Sequence, residues 1–328
     1  MPRIALRQPT LDPESDLARW LLDSDPSIRW QVMRDLLGAD AAEVRVERAR
    51  VATEGFGAAL LALQAADGTW SGTAWSHGWT STMHALWLLR ELGLDPESAP
   101  ARDAITRVCD HVTWQGCGPP ECHANRFFEG ETEPCINGQV AAIGAYLGAD
   151  VERVVARLLR EQLRDGGWNC DAEYGSVRSS FNTTICVLEA LLAYEHRHGA
   201  SGAVTSARHR GEEYLIERRL LRSRSTGRPI ERDRKSGAVW TSIAFPTWWY
   251  YDLLRGLDYL RRAGVDRDDR LAEPIAILAS KRDDAGRFAL ESQHPGPMLV
   301  DLGERESEPS RWNTLRALRV LDWYARRT

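Results

Sequence analysis

Five carboxylates fall in two short stretches of the chain, Glu129, Glu131 and Glu133 in one and Asp171 and Glu173 in the other. Carboxyl groups facing one another in a poorly hydrated site have raised pKa values and can serve as general acid and base. The plain alternative, solvated loop charge, suits most of them taken singly. Glu133 stands apart because Pro134 and an apolar helical pattern follow it directly. Cys117, Cys122, His123 and Cys135 share the first region, but their spacing is irregular for a structural zinc site, and reduced, partly buried thiols are the simpler account. Cys186 lies inside an apolar run and reads as core. Trp75, Trp79, Phe181, Trp248, Trp249 and Trp312 sit beside the same kinds of stretch, with Asn182 next to Phe181. Their faces suit an apolar chain and can stabilise a cation, while part of the set serves as core. Arg178 and Arg311 stand where they can meet a diphosphate or a carboxylate.

The elements that must position these groups are helices in pairs. Residues 151–163 carry Val154, Val155, Leu158 and Leu159 at helical spacing, which predicts an amphipathic helix. Asp165-Gly166-Gly167 ends it, and Ser179-Ser180 offers cap oxygens for a second helix through Ile185, Leu188, Leu191 and Leu192. The second helix is apolar on more than one face and should be buried. The same unit recurs at 60–70 followed by 79–93, and at 280–288 followed by 310–323. Phe181-Asn182-Thr183 and Trp312-Asn313-Thr314 are expected to occupy equivalent places. Weaker units run from 105–112 into 135–147 and from 214–221 into 248–260, and residues 17–37 form an N-terminal pair followed by a charged helix over 40–53. A helix-pair period of roughly 50 residues means an array in which no pair buries its own face. Six pairs can close into an all-α (α/α)6 toroid of inner and outer helices, a single structural domain. Residues 1–55 supply the N-terminal helices that complete the ring and 56–328 the repeats. Residues 1–11 read as a loose arm, and 199–204 and 222–237 as flexible connections. The long loops (113–134, 240–252, 293–309) all join outer to inner helices, so they should meet at one mouth, where helix N-termini favour anionic groups.

Gln64, Gly68 and Trp70, and again Gln162, Gly166 and Trp168, form Gln-x3-Gly-x-Trp turns between outer and inner helices. These turns resemble the repeats of the squalene cyclase and protein prenyltransferase β-subunit superfamily, over about residues 56–324. Residues 283–288 depart from the pattern, lacking the glutamine and the tryptophan. The resemblance implies an isoprenoid or other hydrophobic substrate in a central aromatic cavity. It also implies a catalytic zinc, since prenyltransferase β-subunits place an Asp-x-Cys pair at such a helix start and Glu133-Pro134-Cys135 is similar. The family's third ligand is a histidine, and Asn182 stands at the matching position, so Cys170, His123 and His77 become the replacement ligands to consider. Terpene cyclisation by acid would need Asp-x-Asp-Asp. Asp266-Arg267-Asp268-Asp269 has that form but opens an outer helix at the closed mouth, where helix capping explains it. No Asp-Asp-x-x-Asp pattern for diphosphate-bound magnesium occurs, and 328 residues leave room for one toroid.

The chain has 42 basic and 47 acidic residues, a net charge of −5, and no basic block, which argues against nucleic acid as a partner. No apolar run of about 20 residues could span a bilayer, and six cysteines without a secretion signal suggest reduced thiols and a cytoplasmic location. Three readings follow. The first is a prenyltransferase- or cyclase-like enzyme with zinc centred on Cys135. The second is a non-catalytic toroid binding a hydrophobic ligand or a protein. The third is a carboxylate-dependent lyase or hydrolase using Glu131, Glu133 and Asp171.

Overall fold

A computed structural model of the chain describes residues 10–233 and 237–326. Residues 1–9 of the expected arm, and 234–236 of one expected connection, lie outside them. Thr10 and Leu11 donate their amides to the Leu36 carbonyl. The described chain is all-α, its regular β structure being the two-residue strands Phe288–Ala289 and Pro309–Ser310. Thirteen α-helices follow in order: α1 (Asp16–Leu22), α2 (Pro26–Asp35), α3 (Ala41–Ala49), α4 (Gly55–Ala62), α5 (Thr82–Leu92), α6 (Ala99–His111), α7 (Pro134–Leu147), α8 (Glu152–Arg160), α9 (Phe181–His198), α10 (Gly202–Glu217), α11 (Leu253–Arg262), α12 (Ala272–Ala279) and α13 (Arg311–Ala325).

Local chemistry sets these boundaries. Ser15, Asp25, Asp40, Ser180, Ser201, Asp252 and Ser310 each accept a first-turn amide proton through the side chain, satisfying donors that a helix start leaves open. At the other end, α5 and α7 stop at Gly93 and Gly148 in the left-handed conformation. Burial then sorts the helices. Only Tyr146 of α7 escapes full burial, and the first twelve residues of α9 are buried, whereas α8 buries only Val154, Val155 and Leu158.

The buried helices contact one another in a cycle. α5 packs on α7, α7 on α9, α9 on α11, α11 on α13 and α13 on α2. The Trp30 indole donates to the Leu92 carbonyl at 3.1 Å and Gln31 to the Glu91 carbonyl at 3.1 Å, joining α2 to the end of α5. The closest approach is α7 against α9, where a Cβ on Gly138 would meet the Cys186 carbonyl carbon at 2.7 Å.

The recurrent turns are built from the same bonds each time. Gln64 donates to the Gly68 and Ala104 carbonyls at 3.1 and 2.9 Å, and Gln162 to the Gly166 and Ala207 carbonyls at 2.6 and 2.8 Å. Each turn therefore ties its outer helix to the next outer one. Gly166 has φ +98° and a Cβ there would lie 2.5 Å from the Arg210 oxygen, so only glycine fits. The Trp70 and Trp168 indoles donate to the Leu60 and Leu158 carbonyls at 2.8 and 2.7 Å. Their own amides donate to Thr82 and Thr184 hydroxyls at 3.1 and 3.0 Å, and in the third turn Phe288 donates to Thr314 at 2.9 Å. Replacing Thr184 by valine would strand the buried Trp168 amide at an expected cost of about 1–3 kcal/mol, with Thr184→Ser close to wild type. Urea denaturation of the two variants checks this.

Those threonines also correct a register. Thr184 matches Thr314, and the cap residues Ser180 and Ser310 agree, so Asn182 is equivalent to Trp312 and Thr183 to Asn313, one residue off the expected pairing. Two boundaries also differ. α10 begins at Gly202, inside the stretch expected to be a connection, because Ser201 caps it. α11 begins at Leu253 rather than 248, because Asp252 caps it and Trp248 has φ +50°, a conformation no α-helix contains. In the expected connection at 222–237 the chain folds back at residues 221–230, with the Ile230 amide on the Leu221 carbonyl at 2.7 Å. Asp268 caps a short 3-10 turn by accepting from the Arg270 amide at 2.8 Å, which agrees with the capping account of the Asp266–Asp269 cluster.

Candidate functional site

The long loops, residues 63–81, 112–133, 161–180, 218–252 and 280–310, all lead from an outer helix into an inner one, so they gather at the N-terminal ends of α5, α7, α9, α11 and α13. Glu133 is the residue immediately before α7 and Cys135 is its second residue. Cys170 opens a 3-10 turn over Cys170–Tyr174, set by the Asn169 side chain accepting from the Asp171 amide at 3.0 Å. These two elements bring a carboxylate oxygen of Glu133 and the sulfurs of Cys135 and Cys170 within 4.8 Å of one another. Among the described residues they are the one group of three or more His, Cys, Asp or Glu so placed. The Cys135 sulfur lies 3.6 Å from Glu133 Oε2. Zinc bonds of roughly 2.3 Å to sulfur and 2.0 Å to oxygen at tetrahedral angles put such an edge at roughly 3.5 Å. That one edge fits the ion. A hydrogen bond with Cys170, and then burial, push the Cys135 thiol well above the ordinary thiol range; zinc held there would reverse that preference by favouring the thiolates.

The loop that carries Glu133 is fixed from two sides. Asn137 accepts from the Glu131 amide and donates to the Glu131 carbonyl, both at 2.9 Å. From outside the ring, Arg157 donates to the Glu131 and Thr132 carbonyls at 2.6 and 3.0 Å. Thr183 supports the other sulfur, its hydroxyl lying 3.4 Å from the Cys170 amide and 3.5 Å from the Cys170 sulfur. Partners of this kind orient metal ligands.

Glu131 turns inward. It is 2% exposed, and its carboxylate accepts from the Glu133 amide at 2.5 Å and the Thr132 hydroxyl at 3.0 Å. Burial pushes its pKa up to about 7. Glu129 accepts from the Arg126 amide at 2.7 Å and is exposed, Asp171 is half-buried and Glu173 exposed. The remaining thiols of the region do not join the cluster. Cys117 donates to the Trp114 carbonyl at 3.5 Å and His123 contacts the Gly118 carbonyl at 3.3 Å, while His77 packs edge-on against Trp75. Asn182 is engaged elsewhere: it accepts from the Tyr251 amide at 2.7 Å and donates to Asp233 at 3.2 Å.

The aromatic residues pack against one another. Trp79 stacks on Trp248 with ring centroids 5.1 Å apart, and His84 and Trp87 lie against the same Trp248. Trp249 stacks on Tyr250 and Tyr250 on His294, which brings the 280–310 loop across the mouth. Trp79 fastens it by donating to the Pro295 carbonyl at 2.9 Å. Phe181 sits among Trp240, Tyr251 and Tyr214, and Trp312 stacks on Phe245. Trp75 and Trp249 are half-buried. Arg178 is exposed on the Cys170 loop, whereas Arg311 donates to the Trp20 carbonyl of α1 and covers the Trp20 ring. On the Cys170 loop Tyr174 is 83% and Val177 79% exposed, large apolar side chains left in water beside the cluster.

Beneath Trp248 lies a group that sequence reasoning did not select. Arg255 donates twice to Glu189, at 3.0 Å each, and once each to the Trp248 and Tyr250 carbonyls at 2.9 and 2.7 Å. Arg90 lies 3.8 Å from the same carboxylate. The signal was present, because Glu189 is the one charge between Ile185 and Ala193.

His84 is also buried, with Ser81 at 2.7 Å from Nδ1, and burial holds its pKa down to about 3. The folded protein therefore keeps it neutral where the unfolded chain protonates it. Its contribution to stability is complete above about pH 6.5 and is lost as the pH falls from there towards about 3. The stability gap between wild type and His84→Gln should shrink across that window by up to roughly 5 kcal/mol, as measured by urea titrations at several pH values.

No protein-family model and no curated protein matches the sequence. Among solved structures the chain is similar to type II terpene cyclase MstE from Scytonema, a variant of which is seen with geranylgeranyl dihydroxybenzoate as substrate. The identity is 16% and the TM-score 0.45, over 92% of this chain and 86% of that one. It is also similar to ent-copalyl diphosphate synthase from Streptomyces platensis, at 15% identity and a TM-score of 0.41, over 94% of this chain and 55% of that one. None of the helices among the described residues is long and apolar enough to cross a membrane.

Proposed function

We propose that the chain is a metal-dependent enzyme of the prenyltransferase and terpene cyclase kind, cytoplasmic, acting on an isoprenoid or similarly hydrophobic substrate at the ring mouth. In this reading Glu133, Cys135 and Cys170 hold one zinc ion. The observation that carries it is the convergence of those three donors from two separate loops to within 4.8 Å. Bound there, zinc would supply Lewis acidity and activate a ligand at its open position. The chain's own groups have the remaining roles. Thr183 orients Cys170, and Asn137 and Arg157 hold the Glu133 loop. Glu131, buried with no cation bonded to its carboxylate, is placed to hold a proton behind the site, and Asp171 and Glu173 border it. Tyr174 and Val177, with the half-buried Trp75 and Trp249, offer apolar surface, and Arg178 a cation for a diphosphate or carboxylate.

A second reading, a non-catalytic toroid that binds a hydrophobic ligand or a protein, is favoured by the filling of the interior. Trp248 is 1% exposed against Trp79, and the Arg255–Glu189 pair closes the space below it. Incubating zinc-supplemented protein with farnesyl or geranylgeranyl diphosphate separates the two. Released or rearranged product supports the enzyme, quenched tryptophan fluorescence without product supports the binding toroid, and neither effect counts against isoprenoid chemistry.

A further inference from the structure

We infer that Cys135 and Cys170 form a reversible disulfide when the site is metal-free, so that the mouth of the ring carries a redox-controlled modification site. Both cysteines are unpaired, and their sulfurs lie within 4.8 Å of each other although 35 residues separate them in sequence (170 − 135). A disulfide needs roughly 2.05 Å between sulfurs, so rotation about the Cα–Cβ bonds has to bring the two together. Cys170 is the accessible partner, half-buried on the loop between α8 and α9, and Cys135, 9% exposed, lies behind it. Cys117 and Cys122 are buried. Cys109 is exposed on α6 and belongs to no such cluster, and Cys186 is 1% exposed within α9.

The chemistry needs a hydroperoxide as oxidant. The Cys170 sulfur attacks one peroxide oxygen, the O–O bond breaks, and the other oxygen takes the Cys170 thiol proton and leaves as water or alcohol, giving a sulfenic acid. The Cys135 sulfur then bonds to the Cys170 sulfur, and the hydroxyl departs with the Cys135 proton as water. Two electrons pass from the two thiols to the hydroperoxide, and an external dithiol reverses the change by exchange. The disulfide leaves neither sulfur able to act as a thiolate ligand. That consequence rests on the zinc reading, whereas the disulfide itself does not.

The two claims are tested apart. Reduced, metal-free protein is treated with hydrogen peroxide, and free thiols are alkylated before tryptic digestion. Residues 127–153 contain Cys135 alone among the cysteines and 165–178 contain Cys170 alone, so one cross-linked pair of peptides reports the bond. The expected result is that this pair dominates, that dithiothreitol abolishes it, and that prior addition of zinc suppresses it. Sulfinic acid on Cys170 without the cross-link, or cross-links dominated by Cys109, would overturn the inference. Cobalt(II) added to the reduced protein gives the separate readout, thiolate-to-cobalt absorption. If that absorption is absent while the cross-link forms, the zinc reading fails and the redox site stands.

Discussion

Cys135→Ala is expected to lower the zinc content of the purified protein from near one per chain to background, with its affinity falling by well over about 100-fold. Replacing an outer partner of a metal site costs about 10–100-fold, and a lost ligand costs more. Removing Cys135 leaves Glu133 and Cys170, a carboxylate and a single thiolate, too few for a stable closed set. Thr183→Val is the graded comparison. It keeps all three donors and removes only the hydroxyl at 3.4 Å from the Cys170 amide, so affinity should fall by about 10–100-fold, with Thr183→Ser recovering most of it. Competition with a zinc-binding dye measures all three variants. Equal affinity in wild type and Cys135→Ala would reduce that cysteine to packing.

Glu189→Ala is expected to destabilise the fold by about 3–5 kcal/mol, the usual cost of leaving a buried charge without its partner. Arg255 is 3% exposed and has two hydrogen bonds to Glu189, with Arg90 close behind. The remaining acceptors of Arg255, the Trp248 and Tyr250 carbonyls and the Cys186 sulfur, are neutral and do not balance its charge. Because those carbonyls belong to the loop that fills the mouth, the loss should also loosen the Trp79–Trp248 stack. Glu189→Gln keeps an acceptor and should lose less. Urea midpoints give the energies, and red-shifted tryptophan emission in Glu189→Ala before global unfolding would report the loosened loop. A change below about 1 kcal/mol would mean that the pair is solvated.

The helix pairs were legible because their physics is local. A run such as Ile185–Leu192, with Glu189 its one charge, is apolar on more than one face, 152–160 is apolar on one stripe, and Gly166 at φ +98° marks the turn. Much less of the mouth was legible. That Cys170 rather than His123 or His77 would approach Cys135 depends on where the 161–180 loop lays a 3-10 turn, and only Asn169 hinted at that cap. Asn182 was expected to pair with Asn313 because Phe-Asn-Thr and Trp-Asn-Thr look alike. The threonine hydroxyls that accept from Trp168 and Phe288 show the register to be one residue different. The aromatic residues were placed at the mouth by loop length alone. Whether they face a cavity or one another is decided by Trp248 at φ +50°, which turns its ring onto Trp79, and no pattern in the sequence encodes that turn.

The most direct test of the account is the metal content of untagged protein, purified without chelators and measured by elemental analysis. The Glu133–Cys135–Cys170 site predicts near-stoichiometric zinc in the wild type and none in Cys135→Ala or Cys170→Ala. Metal-free wild type that also gains no zinc on dialysis against it would contradict the site, and the filled, ligand-binding toroid would then be the better account.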